Sequence, residues 1–497
     1  MRECGAALRA SRGGSNMAPM SEPTPPLPFP FEPTRTHLES LARQVVERAI
    51  AHWTSLAGDP SFDLDGAEAV AASFREPAPE GGRPLGPLLD RLETAFKKSF
   101  HTTGPGYLAF IPGGGLPSAA LADLLSLAFN RFVNVRAAAP AVAEIEATVL
   151  RWIAEEMGYG AGSGGILTSG GSLSNLTAVA TARAARLGDD FTRGTIYFSG
   201  ETHHSVEKAA RIAGFSERSF RRVPTDSALR IDPGALERAI LSDAGRGARP
   251  FLVVANAGTT NTGAVDPMRD VAAVARRHGL WVHADAAYGG FFRLLPECAG
   301  LLAGIEESDS ITLDPHKGLF LPYGTGCLLV RERKALLDLH RGGAAYLQDV
   351  EGGAAEPNFT DLSPELSRDF RGLRLWLPVM LHGLGAFRAA LREKLALTRL
   401  AHEEIRRDGR FEVLHDPALT VLAFRLRAEG RDEDALNALL LKRVNARRRV
   451  FLSSTRTRGR YWIRICVLSF RTHEDRIRDA IAGVKEEASA VLAGPAA

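Results

Sequence analysis

Cysteine is scarce in this chain, and neither sign of charge dominates it. The four cysteines among 497 residues, Cys4, Cys298, Cys327 and Cys466, lie far apart and form no Cys-x-x-Cys pair. That spacing argues against a zinc site and a disulfide framework and is typical of a protein of the reducing cytoplasm. The formal net charge is only +3 and the arginines are dispersed, so no nucleic-acid partner is indicated.

Long apolar runs are also absent. No run approaches the ~18 residues that a membrane-spanning helix requires, so we expect no membrane partner. The first 20 residues contain Arg2, Arg9 and Arg12 but not the apolar core of a signal peptide. We expect residues 1–20 to be a disordered extension, with Met17 or Met20 as an alternative start.

The length exceeds what one hydrophobic core normally serves, so several structural units are expected. Residues 21–34 are rich in proline and predict an extended arm. A capping box at residues 36–39, Thr-His-Leu-Glu, then predicts the start of a helix. Its apolar stripe could be buried by a partner subunit or by the body of the same chain. We assign residues 21–115 to this arm and its helices.

Strands and helices alternate in the middle of the chain. A helix is predicted from about Ala143 to Gly158, and further helices over 174–186 and 268–278. The strand segments are apolar throughout, which is typical of a mostly parallel sheet covered by helices on both faces. They are residues 164–168, 195–199, 251–256, 280–284, 310–313 and 326–330. We assign residues 116–387 to this α/β domain and 388–497 to a small α+β domain with strands over 418–426 and 461–469.

An aspartate and a lysine follow two of these strands. Asp285 ends the segment Trp-Val-His-Ala-Asp, and Lys317 lies in Asp314-Pro-His-Lys317 after the next strand. Ligands bind at the carboxyl ends of strands in open α/β sheets, so both side chains are expected in one pocket. Such a lysine could bind a carbonyl covalently, and such a carboxylate could hold a protonated ring nitrogen. Taken singly, Lys317 could instead be a surface lysine, and Asp285 a turn cap.

Three more segments follow strands of the same sheet. The loop with Gly171 and Ser172 opens a helix and could bind an anion, although most such turns only cap a helix. His203 could lie against a cofactor or simply neighbour a helix start. The adjacent His203-His204 pair lacks a third ligand group, so we expect no metal. Thr260 could hydrogen-bond a ring substituent or only end its strand.

The chain resembles the pyridoxal-phosphate-dependent group II amino-acid decarboxylases, the family of aromatic-L-amino-acid decarboxylase. The resemblance covers nearly the whole chain, and the Pro-His-Lys segment together with the upstream His-x-Asp-Ala-Ala-Tyr is its most specific part. The motifs that carry it are residues 107–112, 140–146, 203–207, 258–260, 283–288, 314–317, 370–374 and 466–472.

The resemblance implies a fold, a cofactor and a role for each site residue. The fold is that of type I pyridoxal-phosphate enzymes (aspartate-aminotransferase-like): a mostly parallel seven-stranded sheet and a small C-terminal domain, in a homodimer whose N-terminal segment packs on the partner. Lys317 would carry pyridoxal 5'-phosphate (PLP), Asp285 would pair with its ring nitrogen, and His203 would stack on the ring and transfer protons. The phosphate ligands would be Gly171, Ser172 and His316, and the remaining cofactor contacts Thr260, Ala287 and Asp314.

The implied reaction is decarboxylation of an L-amino acid to the amine and CO2, with an aromatic substrate favoured. The aromatic decarboxylases carry a tyrosine in a mobile loop, but the stretch 356–363 has none, and Phe359 or Thr360 lies nearest that position. An aldehyde-forming oxidative deamination is therefore an alternative. Gly113–Gly115 and Asn134 replace residues typical of aromatic-specific members, which leaves an acidic or aliphatic substrate as a further alternative.

Two other classes are open. An aminotransferase or a cysteine desulfurase could share the fold, and aminotransferases usually need a C-terminal arginine for the substrate carboxylate. Arg464 and Arg471 are candidates for it. A cofactor-free interaction protein could also keep the fold, although the presence of Lys317, Asp285 and His203 together argues against it.

Overall fold

The computed structural model describes residues 31–342 and 357–494. The expected extension 1–20 and most of the proline-rich arm lie outside these ranges. Of the described helices, none combines the length and apolarity needed to cross a membrane. The helices are α1 (Arg35–Ser55), α2 (Ala67–Ser73), α3 (Leu85–Lys97), α4 (Pro117–Phe129), α5 (Pro140–Glu156), α6 (Gly171–Leu187), α7 (Ser205–Ile212), α8 (Pro233–Gly245), α9 (Met268–His278), α10 (Pro315–Gly318), α11 (Arg333–His340), α12 (Gly372–Arg407), α13 (Glu433–Ala446) and α14 (Glu474–Ala493).

A seven-stranded sheet forms the centre of the molecule. Its spatial order is β1-β7-β6-β5-β4-β2-β3, and only β7 is antiparallel to its neighbours. Because β7 reverses direction against both β1 and β6, β1 points the same way as the five parallel strands. The carboxyl ends of six strands therefore share one edge. The strands are β1 (Gly164–Thr168), β2 (Gly194–Ser199), β3 (Phe220–Val223), β4 (Arg249–Asn256), β5 (Trp281–Asp285), β6 (Ser310–Leu313) and β7 (Gly326–Val330).

The expected fold class is confirmed, and the strand segments lie within about one or two residues of the predicted ones. The edge strand β3 was missed. The connection from β5 to β6, residues 286–309, holds only short 3-10 turns and no α-helix. These turns bury Phe291, Phe292 and Leu295 beneath the sheet edge.

The C-terminal part has a four-stranded antiparallel sheet of its own, in the order β10-β11-β9-β8. Two of these strands, β8 (Phe411–Val413) and β10 (Ser453–Thr457), were not predicted; the others are β9 (Val421–Leu426) and β11 (Arg460–Cys466). The predicted boundary at 387/388 falls inside α12. Phe387 and Leu391 of that helix pack in the core of the large sheet, whereas Leu397 and Ala401 pack in the core of the small one.

The first helix begins earlier than the capping box predicted. The hydroxyl of Thr34 accepts a hydrogen bond from the His37 amide at 3.3 Å, so Thr34, not Thr36, caps α1. No residue of this 21-residue helix is buried.

Candidate active site

A cavity of about 280 Å³ opens at the shared carboxyl edge of the large sheet. All nine residues predicted for the site line it: Gly171, Ser172, His203, Thr260, Asp285, Ala287, Asp314, His316 and Lys317. They come from the ends of β1, β2, β4, β5 and β6 and from the turns that follow. Strand ends far apart in the sequence meet here because six strands point to one edge.

Asp285 is the last residue of β5 and is only 7% exposed. Its Oδ2 accepts a hydrogen bond from Asn175 Nδ2 at 3.1 Å, and its Oδ1 accepts one from the Ala287 amide at 3.3 Å. Among the described residues no lysine, arginine or histidine lies within ion-pair distance of it. A buried carboxylate without a cationic partner is costly, so this position suits a ligand that carries a positive N–H group.

Lys317 lies in the short helix α10 that follows β6. Its Nζ contacts Asp314 Oδ2 at 2.8 Å, and Asp314 is only 2% exposed. The other oxygen, Asp314 Oδ1, is buried with no hydrogen-bond partner among the described residues. This orphaned acceptor and the amine beside it mark the floor of the cavity as a place for a polar ligand.

The start of α6 suits a phosphate group. Gly170 at its N-cap offers no side-chain acceptor, so the first amides of the helix are left for a ligand. A Cβ added to Gly171 would lie 3.0 Å from Asp314 Oδ2 and 3.4 Å from the Ala287 side chain, so only glycine keeps this corner open. On the other side, His316 Nδ1 donates to the Thr325 carbonyl at 2.7 Å, and its Nε2 lies 3.7 Å from Asp314 Oδ2. This Nε2 can donate to an anion when the ring is protonated.

His203 follows β2 and is partly buried. Its Nδ1 lies 2.8 Å from Ser205 Oγ and 3.3 Å from the Ser205 amide. Burial lowers the pKa of the imidazole, and the negative charge of Asp285 only partly opposes this. The ring is therefore neutral near pH 7 and has one nitrogen, Nε2, left for a ligand.

Sequence reasoning missed several residues that line the cavity, among them Asn175, Ser205, Asn256 and Tyr288. The sequence held a signal for two of them. Asn175 follows Gly171 by four residues, which places it on the same face of α6. Ser205 is two residues beyond His203, within reach of a local side-chain hydrogen bond.

The two candidate arginines for a substrate carboxylate are already engaged. Arg464 donates to the carbonyl oxygens of Asn261 at 2.7 Å and Thr260 at 2.5 Å and to Ser453 Oγ. Arg471 donates to the carbonyl oxygens of Thr103 and Gly114. Neither guanidinium lines the cavity. The contact that would favour an aminotransferase is therefore not formed.

Three of the residues singled out as departures from the family, Asn134, Phe359 and Thr360, do not line the cavity. Asn134 is 1% exposed and donates to the Leu366 carbonyl, and the amide of Thr360 donates to the Asn134 carbonyl. Phe359 is buried with its ring beneath the Arg368 guanidinium. The stretch to which the missing tyrosine was assigned, residues 356–363, is described from residue 357 onward. The chain has a tyrosine ten residues before that stretch, Tyr346, which lies outside the described residues.

The comparisons with known proteins agree on one family. The model of the pyridoxal-dependent decarboxylase conserved domain matches residues 70–427. Aromatic-L-amino-acid decarboxylase of Bacillus atrophaeus is 34% identical over 460 residues, which are 91% of this chain and 96% of that protein. The chain therefore uses PLP, and the cavity described above contains a buried carboxylate, a lysine and a helix start with free amides that fit such a group.

Two solved structures share the fold closely. The crystal structure of Oryza sativa TDC with PLP and tryptamine has a TM-score of 0.88 at 28% identity and covers 92% of this chain and 99% of that one. That of Rhodiola rosea 4-hydroxyphenylacetaldehyde synthase has a TM-score of 0.85 at 25% identity and covers 93% and 99%. On the family match, the chain belongs to the pyridoxal-dependent decarboxylases and is a PLP-dependent amino-acid decarboxylase.

Proposed function

We propose that this enzyme decarboxylates an aromatic L-amino acid to the corresponding amine and CO2. The observation that carries the proposal is the convergence of Asp285, Lys317 and His203 on one cavity with an anion-binding helix start at its side. The names of the relatives support the aromatic substrate, because the protein matched at 34% identity is an aromatic-L-amino-acid decarboxylase.

PLP, when bound, withdraws electrons from the substrate Cα through its protonated ring and so allows the carboxylate to leave as CO2. We assign the residues of this chain to the parts of that task. Lys317 Nζ would hold the cofactor before substrate arrives and be released by the substrate amine. The first amides of α6 and His316 would hold the phosphate, and Thr260 and Ala287 would line the ring.

Asp285 would act on the cofactor ring, and His203 would act on the substrate. A carboxylate at Asp285 favours a proton on a ring nitrogen beside it, because the pair is buried and the attraction is little screened. The imidazole of His203, with Nε2 left for a ligand, can orient the substrate carboxylate. After the ring takes up a proton from solvent, its imidazolium form can return one to Cα and become neutral again. Both would also limit water around the scissile bond.

The product distinguishes this proposal from its alternative. An aldehyde would form if O2 intercepted the reaction before a proton returned to Cα, and the similarity to an aldehyde synthase makes this outcome worth testing. The stretch 356–363 has no tyrosine to return that proton, and Tyr346 precedes it in the sequence.

A substrate panel provides the first prediction. We expect tryptophan, tyrosine or 3,4-dihydroxyphenylalanine to give equal amounts of CO2 and amine, with no O2 consumption. Glutamate and aliphatic amino acids should react at least ~100-fold more slowly, since a site that fits an aromatic side chain loses several kcal/mol with a small or charged one. Equal aldehyde, ammonia and peroxide would instead establish the oxidative reaction, and preference for glutamate would contradict the aromatic assignment.

We also propose that the enzyme is a homodimer. Helix α4 presents five large apolar side chains that are 44–66% exposed: Leu121, Leu124, Leu125, Leu127 and Phe129. Helix α1, which buries no residue, adds Leu38, Val45 and Ile50. Exposed apolar side chains of this extent are typical of a subunit interface. Helix α1 contacts α3 through the ion pairs of Arg48 with Asp90 and Glu93, but an amphipathic helix that buries no apolar side chain is marginal in water.

Sedimentation of matched variants tests the dimer. Leu124 on α4 and Leu241 on α8 are both 56% exposed. We expect Leu124→Glu, combined with Leu127→Glu, to shift the protein from dimer to monomer, because two charges would be buried unpaired. Leu241→Glu should leave the dimer unchanged. A wild-type protein that sediments as a monomer at micromolar concentration would refute the proposal.

We also propose that the protein resides in a reducing compartment, because the spacing of its cysteines argues against a disulfide framework. Cys298, Cys327 and Cys466 are buried and unpaired with one another. Burial raises the pKa of the Cys466 thiol to about 12, which keeps it in the unreactive protonated form. These thiols are consistent with a cytoplasmic protein, and localisation of a tagged chain would test it.

A further inference from the structure

A buried chain of hydrogen bonds runs behind the cavity. Trp281 Nε1 donates to Ser310 Oγ at 2.8 Å, and Ser310 Oγ lies 2.8 Å from His283 Nδ1. His283 Nε2 lies 3.1 Å from Asn175 Oδ1. Trp281 is 5% exposed, and Ser310, His283 and Asn175 are 0–1% exposed, so water does not compete for these bonds.

At Asn175 the chain divides. Its Nδ2 donates to Asp285 Oδ2 at 3.1 Å and to Ser205 Oγ at 2.9 Å. Ser205 Oγ in turn lies 2.8 Å from His203 Nδ1. One amide group therefore contacts the carboxylate of Asp285 directly and reaches the imidazole of His203 through a single hydroxyl.

The acceptor at Asp285 fixes the direction of every bond in this chain. An ionised carboxylate can only accept, so the Asn175 NH2 group must face it and the Asn175 carbonyl must face His283. His283 is neutral, because burial lowers its pKa to about 4. Its single hydrogen must lie on Nε2 to reach the Asn175 carbonyl. His283 Nδ1 then accepts from Ser310, whose oxygen accepts from Trp281.

The directions of the hydrogen bonds that lead from Asn175 through Ser205 to His203 are fixed in the same way. Ser205 Oγ accepts the second hydrogen of the Asn175 amide, so its own hydrogen is free to point at His203 Nδ1. The Ser205 backbone amide donates to the same nitrogen at 3.3 Å. With two donors at Nδ1, the neutral ring must carry its hydrogen on Nε2.

We propose that Asn175, acting through Ser205, is a positioning residue that sets the tautomer of His203 and orients the carboxylate of Asp285 at the same time. The catalytic importance of this arrangement rests on the roles proposed for Asp285 and His203. The tautomer itself does not, because it follows from the protein's own hydrogen bonds. The ring-nitrogen partner and the proton-transfer group would then be held by one side chain on α6.

The tautomer can be measured without the reaction. In protein labelled with 15N-histidine, with cofactor removed, the His203 resonance is assigned by its loss in His203→Gln. We expect Nε2–H in the wild-type protein. In Ser205→Ala a mixture with Nδ1–H should arise, since only the longer backbone contact at 3.3 Å remains. An Nδ1–H tautomer in the wild type, or an unchanged Nε2–H population in Ser205→Ala, would overturn the proposal.

The holoenzyme provides the second readout. We expect Asn175→Leu and Ser205→Ala to lower kcat about 10- to 100-fold with little change in KM, the usual effect of losing a group that orients a catalytic one. Ser205→Thr, which keeps the hydroxyl, should restore most of the rate. Thr181→Val removes a buried hydroxyl of α6 that bonds only the Thr177 carbonyl, and it should leave kcat unchanged.

The pH profile separates positioning from mere loss of stability. Donors at Nδ1 favour the neutral ring, so their removal should raise the pKa of His203 and move the acidic limb of kcat/KM to higher pH. The charged or titratable groups around this ring are Asp285, His204, Lys317 and Asp314, and none is altered in Ser205→Ala. An unmoved limb together with full activity would refute the proposal. A wild-type protein that shows the expected tautomer but no decarboxylation would refute the proposed function alone.

Discussion

Replacing Lys317 with alanine should abolish turnover and leave the fold intact. We expect kcat to fall by about 10⁴-fold or more, the upper end of what a positioned acid–base group contributes, because the covalent attachment of the cofactor is lost as well. The visible absorbance of the bound cofactor should disappear or shift. The fold should be retained at reduced stability, since removal of the amine leaves the buried Asp314 carboxylate without its cationic partner.

The attachment can be located chemically. Borohydride reduction of the wild-type holoenzyme followed by peptide mapping should tag Lys317. Lys394 is the informative comparison, because it is fully buried and burial lowers its pKa, yet its Nζ is bonded to the Thr472 carbonyl and Glu393. Burial alone therefore should not lead to tagging. Lys208→Ala, at an exposed lysine of α7, is the control for activity. A tag at Lys394, or full activity in Lys317→Ala, would contradict the assignment.

The residues that the sequence predicted are those that lie at the ends of strands. Asp285, Lys317 and Gly171 each follow an apolar segment whose type is determined locally, and the shared direction of parallel strands is enough to bring them together. Their positions could therefore be predicted without knowledge of any contact. The missed strand β3 shows the opposite case. Its two central residues are Arg221 and Arg222, and Arg221 is accommodated only because Asp243 of α8 accepts from it at 2.7 Å.

The supporting residues could not be predicted in the same way. Asn175, Ser205 and His283 lie on α6, α7 and β5, and each is an ordinary buried polar residue when its own segment is considered. Their importance arises from distances of 2.9–3.1 Å between elements that are far apart in the sequence. Which polar groups pair in a core depends on packing, and hydrophobic periodicity does not specify it.

Asp285 should show opposite effects on activity and on stability when it is replaced by asparagine. An amide cannot hold a proton on the cofactor ring, and the pKa of a group next to a carboxylate changes by about 1–3 units when the charge is removed. We therefore expect kcat of Asp285→Asn to fall roughly 10- to 10³-fold, since about a tenfold change in rate corresponds to one unit. Asp285→Glu, which keeps the charge, should retain more activity than Asp285→Asn.

The stability of the cofactor-free protein should change in the other direction. The Asp285 carboxylate is 7% exposed and accepts two hydrogen bonds, with no ion pair among the described residues. Removing its charge relieves a burial cost that these two neutral donors offset only in part, and we expect this relief to outweigh the one donor, Asn175 Nδ2 or the Ala287 amide, that the new NH2 group would face. We expect the free energy of unfolding of cofactor-free Asp285→Asn to equal or exceed that of the wild type by about 1–3 kcal/mol, and its stabilisation by PLP to be smaller.

Asp266 provides a comparison for the stability of Asp285→Asn, because it is also a buried aspartate. It is 1% exposed, and three donors face it: the Ile231 amide at 2.7 Å, the Asn256 amide at 2.7 Å and Asn256 Nδ2 at 2.8 Å. Asp266→Asn would turn an NH2 group toward one of these donors and should lower the stability by a similar amount. Denaturant unfolding of both cofactor-free variants measures the difference. If Asp285→Asn were as destabilised as Asp266→Asn, the Asp285 carboxylate would stabilise the fold. The proposal that it pairs with a cationic ring nitrogen would then be contradicted.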